Sequence, residues 1–261
     1  MGHDRVGMLP RTKPWARLVE DIVAAGHGMA DTGDVADRVL QNVRHRYRRL
    51  MQDDSGTAAA FQFLVFAALS GRPPRATELE SHGFRMPDDP TPLRLAADLQ
   101  EWTSGRAESS EYRELAWRAA ADALATWFAE SKPKDVPLFG DPVTAAEVWP
   151  RAAAGSGFCE LARLFFAGLT QRYLCYFLDR AASVAIADVE GRRQFAQALD
   201  AHLDAVSRHA FETAKITQSF AAGWFNKHAA EGVPTHEQIR GFMAHAFGKL
   251  RDELTQEEGT G

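Results

Sequence analysis

Histidine is the residue type in this chain best suited to acid–base or metal chemistry. Five of its nine copies, His202, His209, His228, His236 and His245, fall close together near the C-terminus. Their spacing argues against a metal site. His202 and His209 are seven residues apart, about 10.5 Å along a helix, whereas two imidazoles that bind one ion from a single helix need a spacing of four and reach it at about 2.1 Å. His236-Glu237 opens like a zinc-protease motif, but Arg240 stands where the second histidine is required. Glu212 follows His209 by three, the reverse of the order that builds a di-iron carboxylate bundle. Gly155-Ser-Gly157 is too short for a dinucleotide fingerprint, and no glycine loop ends in Gly-Lys followed by Ser or Thr. Of the paired carboxylates, Asp53-Asp54 fits a helix terminus and Asp88-Asp89 a proline-bounded turn. The expectation is therefore no metal, no cofactor and no assembled catalytic set, with an enzyme whose five histidines converge from the last two helices kept as an alternative.

Two stretches have binding chemistry instead. In Val43-Arg-His-Arg-Tyr-Arg-Arg-Leu50, Arg44, Arg46, Arg48 and Arg49 spread around a helix, and residues 1–50 hold nine Lys or Arg against six acidic residues. Such forks could grip phosphates, so nucleic-acid binding is one reading; a solvated face of an amphipathic helix is the plainer one. Near the C-terminus, the adjacent aromatics Trp224 and Phe225 cannot both enter one core. With Lys227 and His228 they form the candidate contact site for another protein, unless they dock against the last helix.

The elements that must position these residues are helices. Alanine is abundant, strand-like alternation is almost absent, and helix-start signals recur at Thr91-Pro92, Asp141-Pro142, Ser110-Glu111 and Thr235-His-Glu-Gln238. The spacing predicts helices over 14–25, 33–52, 58–70, 92–102, 111–131, 142–154, 158–187, 191–230 and 236–255; the proline-rich stretch after 71 reads as a loop, with room for a short helix over 76–82 inside it. From Phe195 through Leu199, His202, Val206, His209, Thr213 and Ile216 to Phe220, steps of four and three make a heptad seam. The seam puts His202 and His209 inside, as buried neutral imidazoles with pKa values below about 6.5. Residues 158–186 are apolar almost all round and are expected to form the central helix. Cys159 and Cys175, sixteen apart on it, are separated by about 24 Å and cannot bond within one chain.

The fold class expected is all-α, a multi-helix bundle of about eight to nine helices with a long C-terminal helical hairpin. Its division runs 1–71 as an N-terminal helical segment with the basic helix, 72–92 as a proline-rich linker or loop, 93–257 as the main bundle and 258–261 as a disordered tail. The uncharged stretch Ser55–Gly71 would span only about 25 Å as a helix, short of the ~30 Å hydrocarbon core, so it reads as a buried core helix and no membrane partner is expected. Two cysteines cannot make a disulfide scaffold, and a net charge of −5 is unlike a surface built throughout for polyanions. A cytoplasmic, bacterial protein is expected. The function expected is a non-catalytic helical interaction or accessory subunit of a bacterial complex, its partner another protein or a second copy of itself.

Overall fold

The computed structural model describes residues 13–31, 34–35, 38, 54–106, 111–133, 144–199, 201 and 215–256. The basic helix with Arg44, Arg46, Arg48 and Arg49, the seam histidines His202 and His209, the Ser110 and Asp141 caps and the expected tail lie outside them. The described residues form α1 (Lys13–Gly26), α2 (Ser55–Leu69), α3 (Pro73–Ser81), α4 (Pro92–Ser104), α5 (Glu111–Ser131), the single turn α6 (Ala145–Val148), a 3₁₀ segment (Trp149–Ala153), α7 (Gly155–Ala185), α8 (Lys215–Glu231) and α9 (His236–Gln256). Residues 189–199 are also helical, and no strand occurs among the described residues. The chain is an all-α multi-helix bundle.

Local chemistry sets most boundaries. The Thr57 amide donates to Asp54 Oδ2 at 2.6 Å and so starts α2, and the Arg94 amide donates to Thr91 Oγ1 at 3.3 Å ahead of Pro92 in α4. At α9 the capping box is reciprocal. The Thr235 amide donates to Gln238 Oε1 at 2.8 Å, and the Gln238 amide to Thr235 Oγ1 at 3.2 Å. Of the expected helix over 142–154 the described residues begin at 144 and differ: Thr144 and Glu147 cap a single turn, and Trp149–Ala153 is 3₁₀. Pro150 explains this, because its ring collides with the carbonyl four residues back and it has no amide to donate.

The core of the bundle gathers on α2 and α7. On α2 thirteen of the fifteen residues are buried, around its whole circumference, which is why the stretch carries no charge. It packs against α3, α4, α5, α7, α9 and the 3₁₀ segment, and α7 packs against α1, α2, α5, α8 and the 3₁₀ segment. On α7, Phe158, Leu161, Phe165, Phe166, Leu169 and Tyr173 are buried, while Leu164, Ala167 and Arg172 are half-buried. The seam's first two residues, Phe195 and Leu199, are buried. Around Phe61 of α2 gather Phe158, Phe165 and Phe166 of α7 and Phe242 of α9, with ring centroids 4.9–6.2 Å apart in stacked and tilted pairs. No helix among the described residues is long and apolar enough to cross a membrane.

The proline-rich stretch after α2 contains α3, which two arginines tie to distant parts of the chain. Arg72 donates to the Ala153 carbonyl at 3.0 and 2.8 Å and to Asn226 Oδ1 at 2.9 Å. Arg75 donates to the carbonyls of Ala229 at 3.0 Å and Ala230 at 2.8 Å and to Glu78 Oε2 at 2.7 Å. Glu78 in turn accepts from the Val233 amide at 3.0 Å. The last carbonyls of a helix have no partner within it. Here the end of α8 finds them on α3, and Gly232, at φ 149°, turns the chain away toward α9.

Candidate functional site

An open cleft of about 770 Å³ runs along α4, walled on the other side by residues 83–88. Its position follows from α3. That helix ends at Ser81, Gly83 turns the chain with a φ of 76° that suits glycine, and the chain then runs back along α4 to Thr91, the cap from which α4 begins. Phe84 turns inward and is 3% exposed, packed edge-on against Phe63, Phe66 and Trp102 at 5.2, 5.8 and 5.9 Å. Trp102 is held by its indole N–H, which donates to the Ala59 carbonyl of α2 at 3.1 Å. Phe63, Phe84 and Trp102, with half-buried Met86, thus make an apolar floor fixed to the most buried helix. Trp149 steadies the far end of the wall by donating its indole N–H to the Pro90 carbonyl.

The rim is charged in a definite order. Arg94, Asp98, Glu101 and Arg106 follow one another along the α4 side, and Arg85 and Asp88 lie on the opposing wall. Arg94 pairs with Asp98 at 3.3 Å and Arg85 with Glu80 at 3.8 Å. Arg106 is held differently. Its guanidinium carbon lies 3.4 Å from the centroid of the Trp102 ring, a cation–π contact, and its Nη1 donates to the Trp102 carbonyl at a long 3.4 Å. It forms no ion pair with a described residue, and burial pushes it below its ordinary pKa. Glu101 and Asp88 likewise form no ion pair among the described residues.

The C-terminal residues singled out from sequence are placed otherwise. Phe225 is 0% exposed and stacks on Phe158 at 4.3 Å, with the Arg72 guanidinium 5.3 Å from its ring. Trp224 is half-buried against Phe242 of the last helix at 4.8 Å and Phe158 at 6.0 Å. The pair therefore docks inward and Lys227 alone of the four is exposed. His228 is half-buried beside Trp224, with Nδ1 3.6 Å from Glu231 Oε2. Burial lowers its pKa, Glu231 opposes that and Lys227 adds to it. His236 and His245 are exposed, and the His245 ring lies 4.0 Å from Phe220. Among the described residues no three His, Cys, Asp or Glu side chains gather as metal ligands. Neither Cys159 nor Cys175 forms a disulfide with a described residue, and burial lifts the Cys159 thiol to about 11, so it stays protonated at neutral pH.

Sequence reasoning passed over the cleft. The signal it offered was Phe84 and Met86, two apolar residues in a proline-bounded segment where a solvated loop would carry none, followed by Leu93, which stands 83% exposed beside Arg94. No family model matches the chain, nor does a curated protein or a solved structure.

Proposed function

We propose that this chain is a non-catalytic helical interaction subunit and that it docks another protein in the cleft along α4. The observation that carries the reading is the cleft's construction: an aromatic floor anchored to the core, a charged rim of mixed sign, and an opening along its length. An apolar centre inside a polar rim is the anatomy of protein–protein contacts, whereas small-molecule sites are mostly enclosed. The described arginines support this reading from the other side, because Arg72 and Arg75 and the Arg172–Asp122 pair are engaged in holding helices together.

Co-purification from the native source, after nuclease treatment, tests it. Wild type is compared with a cleft-rim variant (Arg94→Glu, Glu101→Arg, Arg106→Glu) and with Lys227→Glu on α8. The expected result is that the rim variant loses its partner and Lys227→Glu keeps it. Loss with Lys227→Glu alone would move the contact to α8, and nucleic acid bound equally by all three in untreated extract would favour the basic helix Arg44–Arg49.

A further inference from the structure

We draw no further inference here: the strongest candidate, the row of rings along the α8–α9 hairpin that runs from His245 through Phe220, Phe242 and Trp224 to His228, is packed against itself, and nothing among the described residues shows what covers its half-buried edge.

Discussion

Replacing Arg75 by alanine should loosen the hold of α3 on α8 and, through it, the wall of the cleft. Arg75 is 18% exposed at its side chain and makes three hydrogen bonds, to the Ala229 and Ala230 carbonyls and to Glu78. A hydrogen bond to a charged group contributes about 1.5–3 kcal/mol where it is shielded, and a cation at a helix C-terminus a further ~0.3–1 kcal/mol. Water can reach the freed carbonyls in part, so the expected loss for Arg75→Ala is about 2–3 kcal/mol, with Arg75→Lys losing about half because an ammonium cannot fork to two carbonyls. Urea unfolding followed by circular dichroism reads this as a lower midpoint at unchanged slope, and thermal unfolding as a fall of about 4–12 °C at ~2–4 °C per kcal/mol. Glu78 is held below its ordinary pKa by the Val233 amide first and by Arg75 second. The unfolded state therefore binds the proton more readily, so the stability Glu78 contributes is present above pH about 4.5 and is lost as the pH falls further. Arg75→Ala should flatten part of that dependence. A midpoint within error of wild type, or identical acid limbs for the two proteins, would refute the latch.

Three further outcomes follow from particular contacts. A Cβ on Gly56 would lie 2.9 Å from the Arg113 Cα, backbone that cannot swing aside; Gly56→Ala should cost about 1–2 kcal/mol in urea unfolding despite alanine's better helix propensity. Asp54 caps α2 yet burial raises its pKa, so calorimetry should show Asp54→Ala losing about 1 kcal/mol and Asp54→Asn, which keeps the cap without the charge, losing little or nothing at pH 7. Burial lowers the pKa of His228, so its protonation opposes folding: relative to His228→Gln, wild type should lose stability as the pH falls through about 6.5, and parallel curves between pH 8 and 5 would remove that assignment.

Local rules made much of the fold legible. Thr91, Thr235 and Asp54 satisfy amides within three residues of themselves, so their roles can be read without knowing what packs above them. The uncharged face of Ser55–Leu69 in every direction announced burial on all sides. Pro150 marked the end of regular helix, although the reading from Asp141-Pro142 ran past it. Trp224 and Phe225 show the limit of such reasoning: their adjacency says that they diverge, and only the paths of α9 and α7 decide that Phe242 covers the first while Phe158 covers the second. The cleft was harder still. Arg106 lies twenty-three residues from Gly83 in sequence, and what joins them is the turn at Gly83, the anchoring of Trp102 on Ala59 and the clamp of α3 on α8, each a contact between distant segments.

The most direct test of the central claim is hydrogen–deuterium exchange on the full chain with and without its co-purifying partner. Protection confined to residues 83–88 and 94–106 is the expected result. Protection of α8 around Lys227 with the cleft unchanged would contradict it.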